Sequence, residues 1–244
     1  TGTLEFDLNR HGFTGPTRVM LDVEGEWDRI SREADAGGIV AVDADGAVCT
    51  SRLGRVRRVH VERQGPVHAV VAVHGDLRAR LSDAPLLEYC MRVHAFAGSS
   101  LVRVVLTVRN PRPTGRADDG SRWVMGQRGT VLLKSLALAF APRLDAGRRT
   151  VTLSAEEGKL LDRIPLAKSL GVCQDSSGGE NWFHRTHVNR DNVMPVRIRG
   201  YRVRYGEDVI DEGLRASPWI ESADTRWAVA AAAPAFWENF PYEL

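Results

Sequence analysis

The chain has 244 residues, of which 43% are hydrophobic and 26% charged, with 33 basic against 31 acidic side chains for a net charge of +2. This length buries a core without disulfide staples, and this composition excludes a disordered chain. The near balance of charge argues against a nucleic-acid binder, and no run of about 18 apolar residues offers a membrane-spanning helix.

Arg supplies 30 of the 33 cations; Lys134, Lys159 and Lys168 are the only lysines. Codon bias accounts for most of that excess, although Arg is also the better fork for carboxylates. Cys49, Cys90 and Cys173 are odd in number and widely spaced, so free, buried thiols are expected rather than a disulfide framework or a zinc pattern. No signal-peptide pattern opens the chain, which starts on "TGTLEFDLNR" and closes on "FWENFPYEL". Both ends read as cuts in a longer protein. The compartment is undetermined, and secretion stays open.

Taken in order, the chain alternates. Leu4, Phe6 and Leu8 alternate with Glu5, Asp7 and Asn9, the period of a half-buried strand. Val59 and Val61 alternate with Arg58, His60 and Glu62. After the Gln64-Gly65-Pro66 break, Val67, Ala69, Val71 and Val73 face one way while His68 and His74 face the other, which predicts a hairpin. Tyr89, Met91, Val93 and Ala95, then Val102, Val104, Leu106 and Val108 beyond a Gly98-Ser99-Ser100 turn, extend it to a meander. Further strands are predicted at 131–140, 149–153, 209–215, 219–221 and 226–233, with short helices allowed near 84–88 and in the last turn. In "MPVRIRGYRVRYG" the apolar phase flips at Gly200, which predicts one strand carrying a bulge there. About a dozen strands with polar turns predict an all-β, large antiparallel sandwich. The polar stretch 111–129 reads as a surface insertion.

One segment stands apart. "SLGVCQDSSGGENWFHRTHVNRDNVMP", 169–195, lacks a period and is dense in chemically active side chains. Loops of this length in a compact domain are functional or disordered, and its Trp182, Phe183 and Val188 argue against disorder. Three readings compete. His184 and His187 as metal ligands lack both the HExxH frame and a third ligand, so no metal site is predicted. A structural plug would satisfy its polar groups internally. A carbohydrate site is preferred: Trp182 offers a flat apolar face, and Gln174, Asp175, Glu180, Asn181 and Asn189 offer hydrogen bonds to hydroxyls. Ten of the 17 aromatic residues follow Leu170. Phe236, Trp237 and Phe240 are expected in a core or interface.

Three stretches carry a resemblance: "YCMRVHAFAGSSLVRVVLTVRNP", "QDSSGGENWFHRTHVNRDNVMPVRIRGYRVRYG" and "FWENFPYEL". Together they resemble the exo-rhamnogalacturonan lyase and YetA-like family of PcRGLX-like polysaccharide lyases. The resemblance implies that residues 1–244 are one central β-sandwich domain, of a kind similar to the galactose-mutarotase-like supersandwich. An N-terminal β-barrel would precede it and a C-terminal α/α barrel would follow.

It further implies β-elimination at a uronate of rhamnogalacturonan-type pectin. That chemistry needs a cation on the carboxylate, a base for the neighbouring proton and a donor for the leaving oxygen. Arg185 or Arg190 suits the first as a bidentate fork, and His184 or His187 suits the second. A Tyr or second His suits the third. No cofactor is predicted, with calcium left open. The expected partners are a poly- or oligosaccharide and the adjoining α/α barrel, with no nucleic acid and no membrane; the isolated domain is expected to be inactive. Two alternatives stand: a non-catalytic sugar-binding or scaffold sandwich, and a mutarotase-like epimerase or hydrolase using His184, His187 and Glu180.

Overall fold

A computed structural model describes residues 2–32, 37–113, 129–145, 147–184, 193 and 195–244. The described residues are all-β, with antiparallel strands throughout and a single short 3-10 turn at Trp237–Asn239. No helix among them is long and apolar enough to cross a membrane, which says nothing about spanning by strands. The chain divides into two compact units, Thr1–Arg143 and Leu144–Leu244, each with its own core.

In the first unit, β1 (Leu4–Leu8), β2 (Pro16–Val23) and β3 (Glu26–Arg29) form one sheet. A second contains β4 (Gly38–Asp43) and β5 (Val48–Thr50), and a third is the meander β6 (Val56–Arg63), β7 (His68–Leu77), β8 (Leu87–Phe96) and β9 (Val102–Arg109). β10 (Leu133–Ala139) pairs with β4 to complete the second sheet. The core lies between the second and third sheets. Ile39 and Ala41 on β4 and Cys49 on β5 meet Val73, Tyr89, Met91 and Val93 from the meander, with Phe13 stacked on Tyr89 at 5.8 Å. The predicted alternation of β8 is therefore real: its odd residues enter the core and its even ones leave it. β4 escaped the sequence reading because Gly38, Ile39 and Ala41 are buried while its remaining residues are half-buried, so little alternation survives.

In the second unit, β11 (Thr150–Glu156), β12 (Lys159–Pro165), β16 (Trp219–Ala223) and β17 (Ala228–Ala232) form one sheet. β13 (Leu170–Gln174), β14 (Tyr201–Tyr205), β15 (Asp208–Gly213) and β18 (Tyr242–Glu243) form the other. Leu153, Ala155, Val172, Tyr201, Val203, Ala216 and Phe236 build the core. Phe236 is thus a core residue, as expected, and packs 4.9 Å from Tyr242. The buried Tyr201 ring ends in a hydroxyl that donates to Glu156 Oε1 at 3.0 Å; burial first, and then this carboxylate, push its pKa up to about 12. The three cysteines are free, as predicted, but only Cys49 is buried; Cys90 and Cys173 are half-buried.

Two expectations are corrected. Residues 84–88 form no helix, because Leu87 and Glu88 already belong to β8. The strand at 195–205 is not continuous through a bulge: β14 begins only at Tyr201, and Ile198–Gly200 is a bend. Gly200 has φ +89°, and a Cβ there would stand 2.0 Å from the Gly213 carbonyl oxygen. The phase flip thus marks a glycine pivot into the strand. A true register shift lies further on, between Val203 and Arg204.

Candidate functional site

The segment after β13 is built on buried polar groups. Gln174 is fully buried, 0% exposed. Its Nε2 donates to the carbonyls of Ser176 (2.6 Å) and Leu214 (3.0 Å), and its Oε1 accepts the Ala216 N–H at 2.9 Å. Asp175 Oδ2 accepts the N–H groups of Arg197 and of Ile198, the latter at 2.8 Å. Ser176 Oγ accepts the Gly200 N–H at 2.8 Å. These three side chains clamp the returning chain at 197–200 and the turn at 214–216 onto the end of β13. Buried polar groups must be paired, and here they pair with loop backbone that has no ladder partner. Gln174 and Asp175, predicted to touch substrate, are occupied as the braces of the loop.

Beyond the braces the chain comes to the surface. Glu180 and Asn181 are exposed, Trp182 is half-buried, and Phe183 is 60% exposed. The Trp182 and Phe183 rings lie 5.3 Å apart and tilted by 59°. His184 follows, exposed. Arg185, His187, Asn189 and Arg190 lie outside the described residues, so the structure brings together only Glu180, Asn181, Trp182 and His184 of the predicted outer set. His187, one of the two histidines of the epimerase-like alternative, lies outside the described residues as well.

A second polar cluster went unread in the sequence. The face of the β6–β9 sheet turned away from the core carries four histidines. Strand register places Arg58 beside His74 and His74 beside Cys90; His60 beside Ala72 and Ala72 beside Arg92; His68 beside Phe96. His60 stacks on His74 at 5.3 Å, and His68 stacks on His94 and Phe96 at 5.2 and 4.7 Å. Ala72 is fully buried between His60 and Arg92, its small side chain leaving room for both.

Strand β6 carries register shifts between Val56 and Arg58 and between Val61 and Arg63. Arg57 and Glu62 are the extra residues, and bulges re-aim the side chains they carry. Glu62 receives a fork from Arg92, with Nε at 2.8 Å and Nη2 at 3.0 Å. That hydrogen bonding holds its carboxyl below the usual range. Arg57 reaches Glu88, which Arg109 also holds. Burial, then the charges of His60 and Arg92, lower the His74 pKa and favour its neutral form. Burial likewise lowers His94 and raises the Cys90 thiol. A hollow of about 240 Å³ opens here, lined by Arg57, Arg58, His74, Glu88 and Arg109 among others. Arg58 holds no carboxylate among the described residues.

The sequence offered a partial signal, the opposite facing of His68 and His74. It did not show that β6 and β8 bring His60, Glu62, Cys90, Arg92 and His94 to the same face.

The fold thus defines an all-β protein of antiparallel sheets with sandwich cores, presenting a polar, histidine- and arginine-rich sheet face. Residues 30–112 match the family described as PcRGLX-like protein central beta sandwich domain, the family that the three quoted stretches resemble. The matched segment spans β4 to β9 and so contains every strand of that face. No curated protein matches the chain.

Proposed function

We propose that the chain is the sugar-facing sandwich of a polysaccharide lyase that cleaves rhamnogalacturonan-type pectin by β-elimination, acting with an α/α barrel of the same protein. The observation that carries this reading is the braced surface loop. Gln174, Asp175 and Ser176 fix its root, and it then offers a half-buried Trp182 packed on an exposed Phe183, followed in sequence by His184, Arg185, His187 and Arg190. An exposed apolar ring costs free energy in water, and a sugar ring covers it well. The family match supports the same reading.

In the reaction, Arg185 or Arg190 neutralises the galacturonate carboxylate, which acidifies the proton on the adjacent carbon. His184 or His187 takes that proton. The electron pair forms the new carbon–carbon double bond, the bond to the glycosidic oxygen breaks, and a Tyr or the second His donates a proton to the leaving oxygen. Removing a charge-stabilising donor of this kind lowers turnover about 10²–10³-fold.

The test uses the full-length protein and the ultraviolet absorbance of the unsaturated uronate product. Arg185→Ala, Arg190→Ala and the double variant His184→Ala/His187→Ala are compared with wild type on pectic fragments. Wild-type rates in all three overturn the residue assignment. Sugar binding by wild type without any absorbance change overturns the lyase reading in favour of a non-catalytic sugar-binding sandwich.

A further inference from the structure

We propose that His60, Glu62 and His74 form a binding site for one divalent transition-metal ion of the zinc class on the open face of the β6–β9 sheet. The site goes beyond the lyase reading and shares no residue with it.

Three observations carry it. One ligand atom from each residue lies within 4.8 Å of the other two, and His60 Nε2 is 3.8 Å from Glu62 Oε1. Zinc–nitrogen and zinc–oxygen bonds of about 2.0–2.2 Å set ligand atoms roughly 3.3–3.5 Å apart in a tetrahedron. The His60–Glu62 edge is already close to that length. No edge needs to close by more than about 1.3 Å on the same geometry, a shift of the size that side-chain rotation supplies.

Next, His60 Nδ1 is buried while Nε2 is the nitrogen that faces Glu62, so Nε2 is the ring atom offered to an ion. Finally, the scaffold is suited to holding ligands. His60 and Glu62 stand two residues apart on edge strand β6, Glu62 is the bulge residue, and His74 comes from the neighbouring strand.

The donor set selects the ion. Two imidazoles and one carboxylate suit zinc, nickel or copper, whereas calcium takes six to eight oxygens. Arg92 does not compete for the ion. It donates one hydrogen bond to each Glu62 oxygen, which orients the carboxylate and leaves each oxygen a further lone pair. Three protein ligands leave a fourth position open, the pattern of sites that accept water or a substrate oxygen.

The test titrates the chelator-stripped full chain with Zn²⁺ by calorimetry and with Co²⁺ by visible absorption. One ion per chain is expected, with micromolar affinity, tetrahedral-type cobalt bands and a rise in thermal midpoint. His60→Gln and His74→Gln each weaken binding about 100-fold or more, two tenfold steps of free energy. Glu62→Gln shifts the cobalt spectrum. His94→Gln, on the same face but outside the set, leaves binding unchanged.

The inference is overturned if wild type shows no saturable uptake by about 1 mM, the weakest affinity worth calling a site. It is equally overturned if both histidine variants bind as wild type, or if His94→Gln loses the ion as they do. Circular dichroism checks each variant's fold; should His74→Gln not fold, His60→Gln on the edge strand decides. Failure here leaves the pectin assay untouched, so the two readings fall separately.

Discussion

The loop after β13 and the outer face of the β6–β9 sheet make their polar clusters in opposite ways. In the loop, the chemically active residues are neighbours in sequence, and buried side chains must hold an irregular backbone in place. On the sheet, the active residues are scattered over 35 positions, from His60 to His94, and regular hydrogen bonding lines them up. The loop therefore depends on a few irreplaceable polar braces, whereas the sheet face depends on register and tolerates changes at single surface positions. A segment dense in reactive residue types is partly spent on its own support, while a sheet assembles a cluster at little structural expense.

The sharpest way to break this comparison is at the loop's pivot. Gly200→Ala places a Cβ 2.0 Å from the Gly213 carbonyl oxygen at a φ of +89°. It is expected to destabilise the protein by about 3 kcal/mol or more, the sum of overpacking and left-handed backbone penalties, as read by chemical denaturation. Gln174→Ala comes next. It leaves the Ala216 N–H and the Ser176 carbonyl unpaired in the interior and removes the part-buried bond to the Leu214 carbonyl, a loss of about 2–3 kcal/mol. A loss under about 0.5 kcal/mol, the range of ordinary surface changes, would mean that the loop is not braced from below.

Asp76 is a comparable brace on the sheet, and it sharpens the contrast. Asp76, 1% exposed, accepts from Arg78 Nε at 2.7 Å and from the Arg55 N–H at 3.0 Å. Burial alone pushes its pKa up. The hydrogen bonds from Arg78 and Arg55, with the charges of Arg78 and Arg57, outweigh burial and hold it below the ordinary 3.8. Its stabilisation is therefore full above pH 3.8 and disappears as pH falls through the lower folded value. Asp76→Asn is expected to lose about 2 kcal/mol at neutral pH, discounted from the buried-pair range because Arg57 is half-exposed, and to flatten the acid limb of the stability curve. An unchanged acid limb would show that Asp76 is not what makes the meander acid-sensitive.

The smallest structural effect is expected at the surface. Phe183→Ser should alter stability by less than about 0.5 kcal/mol while weakening the binding of pectic oligosaccharides. Unchanged binding, measured by calorimetry on the full-length protein, would remove the aromatic pair from the sugar site.

Much of this was legible in the residues. Alternation at Tyr89, Met91 and Val93, and the Gln64-Gly65-Pro66 break, identified the meander because a strand with one wet face writes its period directly into the chain. The strand β4 was illegible for the complementary reason that little of it reaches water. Gln174 and Asp175 read as substrate ligands because an amide and a carboxylate in a loop look alike whether they face solvent or backbone. Only the returning segments at 197–200 and 214–216, some 20 to 40 residues on, give them partners.

The sequence by itself determined that the protein is all-β, that its charge is balanced, and that its motifs resemble one polysaccharide-lyase-like family. These are properties of composition, period and local pattern. Only the tertiary structure decided which polar residues are structural and which are displayed, and that His60, Glu62 and His74 meet. Those outcomes depend on strand register and on the two bulges of β6, where a shift of one residue turns every side chain to the opposite face.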